Sequence, residues 1–219
     1  MGTEAIETTI STGTLRGSVT DGIRRFLGIP YAAPPFGSRR FRLPAAPDAW
    51  TGVRDATQFG PSAPQTPYRG RIGELLPSLT SDGTNEDILT VNVWAPTDAT
   101  DPASGPLPVV LWIHGGAFER GGSSIAGYDG SSFARDGVVF VSANYRLGSE
   151  GFSVLEDAPR NLGLEDIAAA LRWTHAEIAA FGGDPSRITV MGESAGGALV
   201  AALLSRPDTA PLISGAIIE

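Results

Sequence analysis

Four stretches of this chain are apolar without alternation: Leu107–Ile113, 138–144, 188–192 and 214–218. Strands covered on both faces read this way, so each is predicted as a buried central strand. A further strand is predicted over 88–95. Between 144 and 188, Leu164, Ile167, Leu171, Thr174, Ile178 and Phe181 recur at helical spacing, and Gly182-Gly183 ends the run. Glycine readily takes the left-handed conformation that closes a helix, so the stretch reads as a crossover helix. A second helix is predicted from Ala195 to about Leu204, stopping before Pro207. Strand, helix, strand, helix, strand in that order describes an α/β fold, with a mostly parallel central sheet flanked by helices.

The N-terminal part is patterned differently. Residues 14–20 and 23–29 read as short strands around Asp21-Gly22, a pair suited to the positive φ angles of a tight hairpin. Residues 30–77 then hold nine of the 17 prolines, which excludes long regular elements there. Tyr31, Phe36, Phe41, Trp50, Phe59 and Tyr68 need packing partners, so this irregular segment is expected to lie across the main sheet. The organisation expected is a hairpin over 1–29, a proline-rich covering segment over 30–85, and the sheet with its chemistry over 86–219. At 219 residues one core is the default.

Composition narrows the function classes. A hydrophobic share of 42% against 18% charged residues supports a packed fold rather than disorder. Sixteen basic residues against 24 acidic ones leave a net charge of −8, which argues against nucleic acid as a partner. The one basic cluster, Arg39-Arg40-Phe41-Arg42, reads as a packed loop salt-bridged to nearby acids. With no cysteine, neither a disulfide nor a thiolate metal site is available. The chain has no apolar run long enough for a bilayer and no signal-like start, so it reads as cytoplasmic or as a mature form stripped of its signal.

Chemistry is concentrated in two motifs. Gly192-Glu193-Ser194-Ala195-Gly196 is a G-x-S-x-G between a predicted strand and a predicted helix. A sharp turn there would strain the serine backbone, expose Ser194 Oγ and place it at the positive end of the following helix. Alone, the same pattern also fits an ordinary turn. The second motif, His114-Gly115-Gly116-Ala117, directly follows the strand Leu107–Ile113. Small residues there let backbone N–H groups approach a tetrahedral intermediate, so Gly116, Ala117 and Ala195 are the candidate oxyanion-hole donors to the nucleophile Ser194.

Further ordered segments carry a resemblance. They are Phe26-Leu27-Gly28-Ile29-Pro30-Tyr31-Ala32 with Pro34-Pro35, Glu86-Asp87-Ile88-Leu89-Thr90-Val91-Asn92-Val93, Asn144-Tyr145-Arg146-Leu147-Gly148, Asn161-Leu162-Gly163-Leu164-Glu165-Asp166, and Phe181-Gly182-Gly183-Asp184-Pro185. Together with the two motifs they make nearly the whole chain resemble the type-B carboxylesterases, which include cholinesterases and bacterial para-nitrobenzyl esterases. The resemblance implies the α/β-hydrolase fold and hydrolysis of a small carboxylic ester through an acyl-enzyme on Ser194, with no metal or organic cofactor. It makes Glu193 a support of the turn and Glu86, Arg146 and Asp166 a structural charge network. Ile88 stands where secreted animal members carry a disulfide cysteine, which points to a bacterial-type member.

One part of the expected machinery is missing. In this fold the order along the chain is serine, acid, histidine. No histidine follows Ser194, and the two present are His114, in the glycine-rich loop, and His175, on the crossover helix. His114 fits a loop-orienting role and His175 a solvated one. Downstream carboxylates are Asp208 and Glu219, and Glu219 ends a predicted strand, where some α/β-hydrolases hold their acid. Family members are more than twice as long, so the chain reads as a truncated N-terminal part, inactive alone, with a sheet edge at 214–218 through which it could associate. The rivals to this reading are a non-catalytic, cholinesterase-like interaction protein and a fragment completed by a second polypeptide.

Overall fold

A computed structural model describes residues 4–67, 70–75, 86–103 and 105–219. Tyr68, and the stretch around Pro77 within the expected covering segment, lie outside the described residues. Three strands, β1 (Glu4–Ile10), β2 (Gly13–Thr20) and β3 (Ile23–Pro30), form an antiparallel meander. The β2–β3 hairpin turns at Asp21 and Gly22, with φ of 53° and 76°, as expected of that dipeptide. β1 is additional to the hairpin. Its Ile6, Thr8 and Ile10 point inward in alternation, a period-2 signal of a half-covered strand.

The sheet continues through β5 (Thr90–Pro96), β6 (Leu107–Ile113), β7 (Val139–Ala143), β8 (Gly183–Gly192) and β9 (Gly215–Ile218), in the spatial order β1-β2-β3-β5-β7-β6-β8-β9. A short strand, β4 (Val53–Asp55), pairs in parallel beside β2. The expected parallel arrangement holds from β7 through β6 and β8 to β9, while every step from β1 to β7 is antiparallel. The crossover helix α4 (Leu162–Glu177) and the helix α5 (Ala195–Leu204) bury Ile167, Leu171, Leu199 and Leu203 in the same core as Leu111, Val141 and Val190. Gly182, at φ 90°, ends the last turn after α4. The opposite face is a smaller cluster of Trp94, Trp112 and Phe140. It lies under the short helix α2 (Ser131–Arg135), whose Phe133 stacks on Phe140 with ring centroids 4.8 Å apart. The remaining short helices are α1 (Gly70–Leu75) and α3 (Gly148–Phe152).

β9 differs from its expected burial. Ile217 and Ile218 are 43% and 54% exposed, because β9 has β8 on one side and no strand on the other among the described residues. An edge position overrides an apolar sequence.

Tyr31 and Trp50 of the proline-rich segment pack as expected, whereas Phe59 is 41% exposed. Tyr31 is buried and donates its hydroxyl to the Asn144 carbonyl at 2.8 Å, and Trp50 Nε1 donates to the Thr14 carbonyl at 2.9 Å. The Arg39–Arg42 cluster is an exposed loop, not a packed one, but it is salt-bridged as expected: Arg40 pairs through two nitrogens with Glu150, and the Arg42 carbonyl accepts from Arg146 Nη1 at 2.8 Å. Arg146 is itself buried against Asp166, with Nε–Oδ2 at 2.7 Å and Nη2–Oδ1 at 2.6 Å. Burial raises the Asp166 pKa and its bonds to Arg146 oppose that rise. Glu86, expected in this network, is exposed and takes no part in it among the described residues, whereas its neighbour Asp87 pairs with Arg54.

Candidate active site

β8 ends at Gly192 and α5 begins at Ala195, leaving two residues to reverse the chain. Ser194 takes φ 57° and ψ −117°, a conformation that an L-residue holds only when its surroundings enforce it. The enforcement is visible. The Glu193 carbonyl accepts from the Gly196 N–H at 2.8 Å, the Ser194 carbonyl accepts from the Ala198 N–H at 3.0 Å, and the Ser194 N–H donates to the Glu219 carbonyl at 2.7 Å. Gly196 passes so close under the end of β6 that a side chain there would collide with the Ile113 carbonyl. The turn therefore tolerates only glycine at that point, and Ser194 is left exposed.

Beside it runs the loop that follows β6. Gly116, Ala117 and Phe118 have φ of 114°, 55° and 61°, three successive residues in the region that side chains disfavour. The Gly116 carbonyl accepts from Glu119 and Arg120 N–H at 3.0 and 3.1 Å, folding the loop back on itself, and a side chain on Gly116 would collide with the Arg120 carbonyl. Ser194 shares an open cavity of about 530 Å³ with Gly115, Gly116, Ala117, Tyr128 and Glu193. The N–H groups of Gly116, Ala117 and Ala195 donate to no acceptor among the described residues. Those of Gly116 and Ala117 belong to the cavity wall and that of Ala195 to the positive end of α5, where an N–H without an acceptor is available to a negatively charged oxygen.

Three amide side chains hold the return leg of this loop. Gln65 accepts from Gly121 N–H through Oε1 at 2.9 Å and donates to the Gly121 carbonyl through Nε2 at 2.8 Å. Asn144 Oδ1 accepts from Ser123 N–H at 2.8 Å, and Asn92 Nδ2 donates to Ser123 Oγ at 3.0 Å. None of these was singled out by sequence pattern as part of the site. Asn92 and Asn144 carry a partial signal, as polar residues within and at the end of apolar strand runs; Gln65 carries none.

A sequence model of the carboxylesterase family matches residues 4–219. The chain belongs to the carboxylesterase family. The para-nitrobenzyl esterase of Bacillus subtilis (strain 168) is 46% identical over 214 residues, a match covering 94% of this chain and 42% of that protein. The cholinesterase of Mus musculus is 42% identical over 221 residues, covering 96% of this chain and 36% of its own length. A solved PNB esterase structure superposes with a TM-score of 0.85 at 46% identity, over 97% of this chain and 43% of that one. The fold is thus that of the α/β-hydrolases, and the chain spans roughly two fifths of the length of the curated relatives it matches.

Carboxylesterase-family membership sharpens the question of the histidines. His114 is buried, stacked on Tyr145 with ring centroids 4.5 Å apart, and its Nδ1 lies 2.8 Å from the Gly115 carbonyl. A carbonyl only accepts, so Nδ1 carries the proton. Burial pushes the His114 pKa down to about 4, against a smaller upward pull from that bond, and the ring is neutral at pH 7. The Tyr145 hydroxyl donates to the His114 carbonyl at 2.9 Å, completing a rigid support under the loop. His175 is exposed on α4, apart from the cavity. Asp208 is held by Arg206 and Arg172, and its bond to Arg206 above all lowers its pKa to about 2. The Glu219 backbone braces the serine turn, while its side chain is exposed. The structure thus places Ser194 beside Gly116, Ala117 and Ala195, while neither histidine lines its cavity. Among the described residues no cluster of metal-binding side chains occurs, and no helix is long and apolar enough to cross a membrane.

Proposed function

We propose that Ser194 is the nucleophile of a carboxylic-ester hydrolase and that the N–H groups of Gly116, Ala117 and Ala195 receive the oxyanion. The observation that carries this reading is the exposed, positive-φ serine sharing one cavity with a loop whose Gly116 and Ala117 N–H groups have no acceptor among the described residues. In the reaction, Ser194 Oγ adds to the ester carbonyl carbon as a base takes its proton, and the carbonyl π electrons move onto oxygen. The tetrahedral oxyanion is met by dipoles already in place, so little reorganisation is needed as charge develops. Collapse breaks the bond to the alcohol oxygen, which leaves with the proton, and water repeats the sequence on the acyl-enzyme.

The base is neither His114, which is buried and turned to the Gly115 carbonyl, nor His175, which is on the wrong part of α4. Relatives more than twice as long have room for a further histidine and acid. A fluorophosphonate probe applied to an enzyme extended to the relatives' length tests the assignment. Peptide mapping is expected to place the phosphonyl group on Ser194, with none on the Ser194→Ala variant; equal labelling of both would refute it.

A further inference from the structure

We propose that Gln65, in the proline-rich covering segment, is a positioning residue for the oxyanion loop, holding it through Gly121. This rests on the reading of Gly116 and Ala117 as oxyanion donors. A primary amide is the one side-chain group that offers a coplanar acceptor and donor, so it can pair with both backbone groups of one residue as a strand neighbour does. Gln65 does this with Gly121, and its Nε2 also reaches the Ala63 carbonyl at 3.1 Å, which fixes the amide in place.

The connection from Gly121 to the donors is short and contiguous. Gly121 directly follows Arg120, whose N–H donates to the Gly116 carbonyl and whose own carbonyl lies against Gly116. A side chain added at Gly121 would meet the His114 ring and the Gly115 carbonyl, so the return leg presses on the outgoing leg at the point where the donors sit. Gly121 is buried, so without Gln65 its N–H and C=O would need other partners, and the segment must shift to reach them. A donor displaced by about 1 Å costs up to about a hundredfold in rate. Gln65 does not itself line the cavity, whereas Gly121, the residue it holds, does. Its effect is expected on transition-state stabilisation, through the positions of the Gly116 and Ala117 donors.

Two substitutions separate the contributions. Gln65→Met keeps the length and removes both bonds; Gln65→Glu keeps the acceptor for Gly121 N–H but sets a carboxylate against the Gly121 carbonyl. Hydrogen exchange of the 219-residue chain is the first readout. The peptide over residues 115–121 is expected to exchange at least about tenfold faster in Gln65→Met, as loss of local bonding permits, with α4 unchanged and Gln65→Glu intermediate or as fast. Unchanged protection of that peptide, or equal acceleration in α4, overturns the proposal. In an extended enzyme that turns over p-nitrophenyl acetate, kcat is expected to fall about tenfold to a hundredfold with KM within about twofold. A change confined to KM overturns it as well. Failure of Ser194 to react in the unsubstituted enzyme would instead sink the ester-hydrolase reading, while the exchange result still decides whether Gln65 holds the loop.

Discussion

A side chain at Gly116 would have to occupy the space of the Arg120 carbonyl, at a backbone φ of 114° that only glycine adopts freely. Gly116→Val in the extended enzyme is expected to lower kcat by more than it raises KM. Losing one oxyanion donor costs about 10²–10³ in rate in comparable sites; steady-state kinetics that showed a pure KM effect would remove Gly116 from that role. His114 gives a second residue-level prediction, one of pH. Its folded pKa of about 4 lies below the 6.5 of an ordinary histidine, so the unfolded chain binds the proton first. The neutral ring's contribution is fully present above pH 6.5 and is lost as pH falls towards 4, an effect on the order of 3 kcal/mol. Urea unfolding at pH 7 and pH 4.5 is expected to show this loss, and His114→Gln, with no titrating group, is expected to show less of it; identical slopes would mean the ring is not buried neutral. At this scale the sequence was legible where chemistry needs a local pattern. Ser194 and Ala195 stand out because G-x-S-x-G falls between a strand and a helix, Gly116 and Ala117 because a glycine pair follows a strand. Gln65 was not legible, since its partner Gly121 is 56 residues away and a lone glutamine among prolines has no period.

Between elements, the buried Arg146–Asp166 pair joins the loop after β7 to the second turn of α4 and, through the Arg42 carbonyl, to the covering segment. Removing one member strands the other charge without solvent, which costs about 3–5 kcal/mol, whereas removing both costs less than the sum. Asp166→Ala is therefore expected to lower the urea midpoint sharply and Arg146→Met with Asp166→Ala to recover part of it; additive losses would show that the pair is not coupled. Elements were legible in proportion to their periodicity. β6 and α5 match their expected spans because each is a dense apolar run closed by glycine or followed by proline. β1 was overlooked because its alternation uses threonine and glutamate beside two isoleucines, a weak contrast. Beyond the β2–β3 hairpin, the antiparallel half of the sheet escaped because strand direction depends on connections through the irregular segment, and proline-rich stretches carry no directional signal. β9 was expected to be buried because sequence reports hydrophobicity and not how many neighbours a strand has.

For the whole molecule, the exposed edge of β9 and a Ser194 cavity lined by no histidine among the described residues lead to linked expectations. Ile217 and Ile218 present apolar surface on a strand with one free side among the described residues, and such edges pair with other chains. Light scattering after size exclusion is expected to find the 219-residue chain self-associated, and Ile218→Lys to shift it towards monomer; a monodisperse unsubstituted monomer at tens of micromolar would count against edge pairing. The catalytic expectation is sharper. A serine hydroxyl without a general base is a poor nucleophile at neutral pH, and losing the triad serine or histidine costs about 10⁶ in kcat in a studied serine protease. In such enzymes an oxyanion hole and substrate binding without the full triad sustain about 10³–10⁴ over water. The most direct test is p-nitrophenyl acetate turnover by purified, monodisperse 219-residue protein with Ser194→Ala as the blank. Turnover close to that blank is the expected result, and ordinary esterase rates that vanish in Ser194→Ala would contradict the account by showing that this chain already holds the base it is argued to lack.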